Sequence, residues 1–287
     1  MPHSAKSLAA VLASALLGLS VVTATAFALT ITGTPGNDRI RGSKDADQIT
    51  ALAGDDRVVG RAGNDSVDAG PGADRVFGNR GNDTLEGKAG PDRLHGNQGD
   101  DTLIGDVPLV GDLVSRDRLF GGRGNDTLKG GDGFDRLHGG PGNDTANGNA
   151  GNDLMSGGTG DDVQYGGPGN DRIFANRGND TTSGGPGNDI LFALARRDVH
   201  GAGDVNGDTV RGDGGDDRIR VRDGEQDTVN CGPGHDVAFL DFKDKIEDAT
   251  TARPNGSCEV VKRHVPNRAD SRAEDRTEEP AEDRQQD

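Results

Sequence analysis

The sequence lacks the residues from which a conventional hydrophobic core is built. It contains no Trp, aromatic residues make up 3% of the 287 residues, and hydrophobic residues of all kinds make up 30%. Burial of so little apolar surface cannot readily offset the conformational entropy that a chain loses on folding. The composition therefore argues against an ordinary globular core and, taken alone, is typical of a disordered acidic chain.

Positive charge and cysteine are also scarce. The chain has 32 Lys and Arg against 49 Asp and Glu, which gives a formal net charge of -17. This balance argues against nucleic acid as the main partner and favours bound cations.

Cys231 and Cys258 are the two cysteines. We predict that they form a disulfide in an exported chain, because two thiols without suitably spaced histidines are a poor zinc site.

Catalytic signatures are missing as well. The sequence contains no H-E-x-x-H, no G-x-S-x-G and no G-x-x-x-x-G-K-[ST] motif. We therefore predict no catalytic residues, no enzyme activity and no organic cofactor. An enzyme would need an active site built from surface residues.

What the chain has in abundance is glycine, with 48 residues, and aspartate in a fixed register. A glycine-rich repeat of nine residues, written GGRGNDTLK at residues 121–129, returns along most of the chain. Its aspartate, here called the anchor, recurs at Asp38, Asp47, Asp56, Asp65, Asp74, Asp83, Asp92, Asp101, Asp117, Asp126, Asp135, Asp144, Asp153, Asp162, Asp171, Asp180, Asp189 and Asp198, and then less regularly at Asp208, Asp217, Asp227 and Asp236. Such a register argues against permanent disorder and predicts stacked repeats.

A longer period of eighteen residues is visible directly after the anchors. Arg39, Arg57 and Arg75 represent one series, and Ser66 and Thr84 represent the series that alternates with it. One circuit of eighteen residues with two turns and two three-residue strands predicts an all-β fold, a parallel β-roll that is a right-handed β-solenoid. The alternation survives the long step between Asp101 and Asp117, so we predict a loop insertion at about 106–115 and no domain boundary.

Side chains alternate across a strand, so the second residue after each anchor points inward. This column supplies the predicted core, one apolar residue per repeat: Ile40, Ile49, Val58, Val67, Val76, Leu85, Leu94, Leu103, Leu119, Leu128, Leu137, Met155, Ile173, Leu191, Val210, Ile219 and Val229. Gln164, Thr182 and His200 break the column and Ala146 is undersized. We expect about eleven coils, with the later part of the Thr series the less stable side.

The turns between strands are rich in glycine, which permits positive φ and leaves backbone carbonyls unobstructed. Calcium takes six to eight oxygen ligands and readily mixes carbonyls with carboxylates. The turns GGRGND at 121–126 and GGPGND at 184–189 resemble the hemolysin-type calcium-binding repeat of the RTX family. That resemblance implies a parallel β-roll with several calcium ions between turns one coil apart. The ligands it implies are Asp38, Asp56, Asp65, Asp74, Asp83, Asp92, Asp101, Asp126, Asp135, Asp144, Asp153, Asp162, Asp171, Asp180 and Asp189, with carbonyl oxygens of glycines such as Gly121, Gly139, Gly157, Gly166 and Gly184.

Some turns depart from this motif at the glycine two residues before the anchor. Asp45, Ser115, Arg196, Asn206 and Glu225 stand there instead. These departures put calcium in doubt at Asp47, Asp117, Asp198, Asp208 and Asp227.

The two ends of the chain differ from the repeats in amino-acid pattern. Residues 1–28 are predicted to be a secretory signal peptide, with an uncleaved membrane anchor as the alternative, so the mature chain is expected to be extracellular. The β-roll is predicted over 29–238. A C-terminal cap with more apolar residues is predicted over 239–265, and a disordered charged tail over 266–287.

Together these features predict a secreted calcium-binding repeat protein that folds on binding extracellular calcium and serves as a structural or cell-surface interaction module. The alternatives are a detached calcium-binding part of a secreted hydrolase or toxin system, or an ice-binding solenoid. The Thr column that ice binding would need is broken by Gln48, Ser66 and Val163.

A partner is predicted on the sheet that carries the Arg series. That sheet also presents Phe77, His95, Phe120, His138, Phe174 and Phe192. Arg beside aromatic rings can bind an anionic envelope polymer or a surface protein. Alternatively, the Arg stems cover the sheet and nearby carboxylates compensate their charge.

Overall fold

The computed structural model describes residues 28–106, 115–193, 207–222, 224–249 and 257–263, and each regular element in these ranges is a β-strand. Most of the predicted signal peptide, residues 107–114 of the predicted loop, the predicted tail, Asp198 and His200 lie outside the described residues. Within the described ranges, no helix is long and apolar enough to cross a membrane.

Successive strands alternate between two parallel sheets of twelve strands each, here called the odd and the even sheet. The odd sheet consists of β1 (Thr30–Thr32), β3 (Gln48–Thr50), β5 (Ser66–Asp68), β7 (Thr84–Glu86), β9 (Thr102–Ile104), β11 (Thr127–Gly133), β13 (Thr145–Gly151), β15 (Val163–Tyr165), β17 (Thr181–Pro186), β19 (Thr209–Gly214), β21 (Thr228–Asn230) and β23 (Lys245–Ile246). The even sheet consists of β2 (Arg39–Arg41), β4 (Arg57–Ala62), β6 (Arg75–Arg80), β8 (Arg93–Gln98), β10 (Arg118–Arg123), β12 (Arg136–Pro141), β14 (Leu154–Thr159), β16 (Arg172–Arg177), β18 (Ile190–Phe192), β20 (Arg218–Val221), β22 (Val237–Leu240) and β24 (Val260–Arg263).

The register of the sheets follows the eighteen-residue period. Thr127 pairs with Thr145 in the odd sheet, and Arg118 pairs with Arg136 in the even sheet. Residues at equivalent repeat positions are therefore stacked on one another, and in many coils they are identical. This confirms the predicted all-β parallel solenoid, with about 11 turns. Several strands run beyond three residues into the following turn, as β10 does.

Two insertions give the longest steps in the register, of 25 and 28 residues. Thr102 pairs with Thr127, a step of 25, so the roll continues across the first insertion. Thr181 pairs with Thr209, a step of 28, which places ten extra residues after β18. The sequence interpretation that a regular repeat begins at Asp198 is therefore wrong. Asp208, and not Asp198, occupies the next position in the stack above Asp180.

The predicted inward column forms the core. Its members are buried, and several, such as Leu128, are completely inaccessible to solvent. Gln164 and Thr182 are also buried, at 1% and 2% exposure, and the Nε2 of Gln164 has no hydrogen-bond partner. An unpaired buried amide destabilises the fold, which fits the expectation that this part of the odd sheet is weak.

The expectation of one core residue per repeat is wrong, because a second position also points inward. This position is the fourth residue after an anchor, and it is glycine in most repeats. Where a side chain is present it is buried, as at Ala51, Ala69, Ala175, Ala193, Val221, Cys231 and Leu240. Sequence reasoning assigned these positions to turns, because glycine usually marks a turn there.

The C-terminal end is joined covalently to the roll. Cys231 and Cys258 form the predicted disulfide, and both cysteines are buried. The strands β23 and β24 lie in the segment predicted to be a cap, and each adds the last strand to its sheet. The boundaries of the predicted domains stay predictions.

Candidate metal centre

Each anchor aspartate immediately precedes a strand, so the anchors stack along two edges of the roll. We call these the even edge, where anchors such as Asp135 precede even strands, and the odd edge, where anchors such as Asp126 precede odd strands. Their carboxylates turn inward. Apart from Asp38, every predicted ligand aspartate is buried, with at most 2% of its surface exposed.

One oxygen of each carboxylate is used by the fold. The backbone N–H of Asp126 donates to Oδ1 of Asp144 at 2.7 Å, and the N–H of Asp144 donates to Oδ1 of Asp162 at 2.8 Å. In the opposite sense, the N–H of Thr145 donates to the carbonyl oxygen of Asp126. The same pattern repeats on both edges, and we call it the inner ladder. It brings together the pairs of aspartates, one coil apart, that the sequence analysis predicted.

The other oxygen, Oδ2, is left without a hydrogen bond in most repeats. It is buried and unpartnered in Asp56, Asp65, Asp74, Asp83, Asp92, Asp101, Asp117, Asp126, Asp135, Asp144, Asp153, Asp162, Asp171, Asp189, Asp217 and Asp236. In the first coils the pattern differs, because Oδ2 of Asp38 accepts from the N–H and hydroxyl of Thr34, and Oδ2 of Asp47 accepts from the N–H of Ser43. A buried carboxylate oxygen with no partner is costly unless a proton or a cation compensates it.

A glycine faces most of these oxygens, the exceptions being Asp56, Asp74 and Asp236, which face Ala51, Ala69 and Cys231. A Cβ added to Gly121 would lie less than 3.0 Å from both Oδ2 of Asp126 and the carbonyl oxygen of Gly139, closer than real Cβ atoms come. The same holds for the other four predicted glycines, Gly139, Gly157, Gly166 and Gly184, each with its own aspartate and a carbonyl of the next coil. Absence of a side chain therefore creates a space into which a carboxylate oxygen and a carbonyl oxygen point. We call this space the cradle, and the inward fourth residue after an anchor the cradle position.

The residue before the anchor forms a second ladder, which sequence reasoning missed. The N–H of Asn143 donates to Oδ1 of Asn125, and the N–H of Asp161 donates to Oδ1 of Asn143. This outer ladder is exposed and runs in the sense opposite to the inner one. Its signal in the sequence is the frequent Asn or Asp directly before the anchor. On the even edge, Ala73, Pro91, Arg116 and Phe134 interrupt that pattern.

Burial raises the pKa of the anchor carboxyls strongly. Desolvation is the largest cause, neighbouring carboxylates one coil away add to it, and the hydrogen bond from the backbone lowers the pKa in part. The pKa rises to about 9 for Asp92 and Asp162 and to about 6 for Asp74 and Asp126. Without a cation, the inner ladder is therefore poorly suited to carry its full negative charge near neutral pH.

The donor set fits a calcium ion. Calcium prefers oxygen ligands and accepts carboxylates together with backbone carbonyls. In the part of the chain that the structure describes, no three His, Cys, Asp or Glu side chains converge as a metal-binding group. A cation in the turns would therefore take most of its ligands from the backbone, and the cradles supply both kinds of oxygen.

Several anchors beyond the predicted ligand set belong to the same inner ladder. Asp117, which the sequence left in doubt because of Ser115, accepts from the N–H of Asp92 and donates to Asp135. Asp217 and Asp236 continue the even edge. These aspartates belong to the inner ladder because their hydrogen-bond partners lie one coil away. A local sequence motif gives no information about such partners.

A β-solenoid with carboxylates and glycine carbonyls stacked along its edges is a calcium-binding repeat architecture. The sequence matches the family model described as RTX calcium-binding nonapeptide repeat (4 copies) at residues 30–58, 50–85, 77–107, 115–146, 129–164 and 156–191. These matches cover more than half of the chain, and the protein belongs to the RTX calcium-binding repeat family. Its cofactor is calcium, in several copies. A search of curated proteins found none that matches the chain.

The two oxygens of Asp144 predict different effects for two substitutions. Asp144→Asn keeps the acceptor for the N–H of Asp126, whereas Asp144→Ala leaves that buried N–H unpaired at a cost of about 1–3 kcal/mol. In metal-free protein at mildly acidic pH we expect urea unfolding to show D144N as stable as the wild type and D144A less stable. In calcium near neutral pH, both should lose affinity for the ion. Asp161→Asn, an exposed outer-ladder residue with the same change of charge, should behave like the wild type. If D144N and D144A lost the same stability to urea in metal-free protein, the two oxygens of Asp144 would not have these separate roles.

The raised pKa values predict an unusual pH dependence for the metal-free protein. The folded chain binds more protons than the unfolded chain, whose carboxyls titrate near 4, so folding is favoured most at low pH and loses this contribution as pH rises through about 6 to 9. We expect more β-structure by circular dichroism at about pH 5 than at about pH 8 without metal. With calcium bound, acidification should instead weaken the fold, because protons compete for the ligands. More β-structure at the higher pH in the metal-free protein would show that the carboxylates are compensated in another way.

Proposed function

We propose that the protein is a secreted module whose β-roll folds when it meets extracellular calcium and then acts as a structural or cell-surface interaction element. The observation that supports it is the row of buried, unpartnered Oδ2 atoms facing glycine cradles. A cation in the cradles would compensate these charges, and its binding free energy would become folding free energy.

The ligands proposed for calcium are the predicted aspartates with an unpartnered Oδ2 that faces a glycine, together with the carbonyl oxygens that point into the same cradles. Asp144 with the carbonyl of Gly157, and Asp171 with the carbonyl of Gly184, are representative pairs. Asp38 is a weaker candidate, because Thr34 already occupies its second oxygen. Catalysis is not part of the proposal, since a repeat β-roll of this kind is a structural calcium-binding domain.

Folding on calcium can be tested directly on the mature chain. We expect a largely unfolded spectrum in chelator near neutral pH and a β-rich spectrum in millimolar calcium, measured by circular dichroism. Magnesium at the same concentration serves as the control, because its small octahedral shell suits carbonyl-rich turns poorly. The same β content in chelator and in calcium would refute the proposal.

The even sheet presents a face with uncompensated positive charge. Its outward positions carry Arg39, Arg57, Arg75, Arg93, Arg118 and Arg136, and within the described ranges none of these six has a carboxylate oxygen within 4.0 Å. The ion pairs that the described residues form between Lys88 and Asp68 or Glu86, and between Arg211 and Glu247, lie on the odd sheet. The interpretation that nearby carboxylates neutralise these arginines is therefore not supported.

Aromatic rings stack in a column beside these arginines. Phe77, His95 and Phe120 lie face to face, with centroids 4.9 and 4.7 Å apart, and Arg57 covers the first ring at 4.9 Å. Burial, and the charge of Arg93, lower the pKa of His95 to about 4, so His95 is neutral near pH 7. The ring faces are already occupied by each other, so a ligand would meet ring edges and guanidinium groups.

We propose that this face binds an anionic envelope polymer, with an acidic surface protein as the alternative partner. Arginines stacked one strand apart repel each other, so their repetition without carboxylates favours a role in binding over a role in stability. Bidentate pairing with carboxylate, sulfate or phosphate groups is the interaction that guanidinium groups make best.

Changing Arg75, Arg93, Arg118 and Arg136 together to Thr copies the odd sheet and removes four charges. We expect calcium-induced folding to be unchanged and attachment to the producing cell's envelope to be lost in a co-sedimentation assay. A matched control also removes four charges but leaves the six arginines in place. It changes Lys129 on β11 and the last residues of β6, β10 and β16, which are Arg80, Arg123 and Arg177, to Thr, and it should retain attachment. Unchanged attachment of a folded Arg-face variant would leave these arginines with a structural role only.

A further inference from the structure

The cradle position changes character towards the C-terminus. In five successive coils, the residue that faces the odd edge is Gly157, Ala175, Ala193, Val221 and Leu240. Each of the four side chains is completely buried. The space that the turns of the middle coils leave open is thus filled progressively by larger apolar groups.

The even edge follows the same trend. Gly166, Gly184 and Gly212 are succeeded by Cys231, which is buried and bonded to Cys258. Gly212 keeps one cradle open at Asp217, since its missing Cβ would meet Oδ2 of that residue. The matches to the calcium-binding repeat family end at residue 191, before the coils in which these replacements are largest.

The last coils consequently have two inward apolar positions where the middle coils have one. Val221, Cys231 and Leu240 lie beside the regular inward column, which continues there with Val210, Ile219, Val229, Ala238 and Ile246. A side chain at the cradle position occupies the volume next to the anchor carboxylate. It therefore excludes a cation and supplies the apolar burial that glycine cannot.

We propose that these apolar side chains take the place of calcium, so that the β-roll has two parts with different requirements. The coils from residue 207 onward are held by apolar burial and the disulfide, and they fold without calcium. Near neutral pH, the glycine-cradle coils between about 78 and 166 fold only when calcium is bound. The C-terminal coils then offer a formed strand edge on which the preceding coils add as calcium arrives. This inference rests on the proposed calcium-dependent folding of the middle coils.

Six backbone amides with the same hydrogen bond report on the two parts. Each follows an anchor, or Asp244 in the case of Lys245, and donates to the carbonyl oxygen of the anchor one coil earlier, at 2.8–2.9 Å. The middle coils provide Thr145, Leu154 and Val163, and the C-terminal coils provide Thr228, Val237 and Lys245. Because the bonds are alike, differences in hydrogen exchange report on the stability of the coils and not on local geometry.

The experiment is hydrogen exchange near neutral pH on the mature, disulfide-bonded chain in chelator and in calcium. In chelator we expect the three C-terminal amides to exchange on the order of a hundredfold more slowly than the three middle amides, and in calcium all six to be protected. If all six exchange freely in chelator and are protected in calcium, calcium-dependent folding stands and this proposal is overturned. If all six are protected in both conditions, both proposals are overturned.

Reopening the cradles provides a second test. The double variant Val221→Gly with Leu240→Gly should lose protection of the C-terminal amides in chelator and regain it in calcium. The matched control, Ala51→Gly with Ala69→Gly, changes two cradle positions far from the C-terminus and should leave that protection in place. Protection in chelator that survives the double variant would overturn the proposal.

Discussion

The structure depends on a carboxylate that is buried in all but the first of the described half-coils that an anchor begins. Its first oxygen accepts the backbone N–H of the preceding anchor, so the aspartate is needed for strand stacking whether or not a metal is bound. Its second oxygen has no partner in most repeats, and equivalent charges recur one coil away along each edge. Like charges at that spacing in a desolvated site oppose folding. Protons or divalent cations must therefore compensate the ladder before the roll is stable.

This constraint explains the unusual composition. Glycine is needed at most cradle positions because a Cβ there would collide with the anchor oxygen and a carbonyl of the next coil, as at Gly121 and Gly139. The cradle position points inward, so each glycine removes a side chain that a conventional core would use. The small apolar content and the high aspartate content thus have one cause. Ionic compensation takes over part of the role that apolar burial has in most domains.

The eighteen-residue period, the two sheets and the inward column could be predicted from the sequence, because side-chain alternation and stacking of identical repeats leave few choices. The hydrogen-bond partners of individual atoms could not be predicted in the same way. The inner ladder includes Asp117 despite Ser115, since its partners come from neighbouring coils. The insertion after β18 was missed for a different reason. Its ten extra residues differ by one from a repeat of nine, so the pattern can be followed through it to Asp198 without an obvious break.

The two ladders and the Arg face form a single electrostatic system. The anchors carry negative charge along both edges. The outward face of the even sheet carries the six arginines from Arg39 to Arg136 named above, and within the described residues none of these six has a carboxylate oxygen within 4.0 Å. Calcium in the cradles would cancel the edge charge and leave the arginines unchanged. Calcium binding, which would fold the roll, would then also make the electrostatic potential at the outward face of the even sheet more positive. In the proposed function, the ion would therefore couple folding to the attraction of an anionic partner, and a change in the aspartates would alter binding at a sheet face that they do not touch.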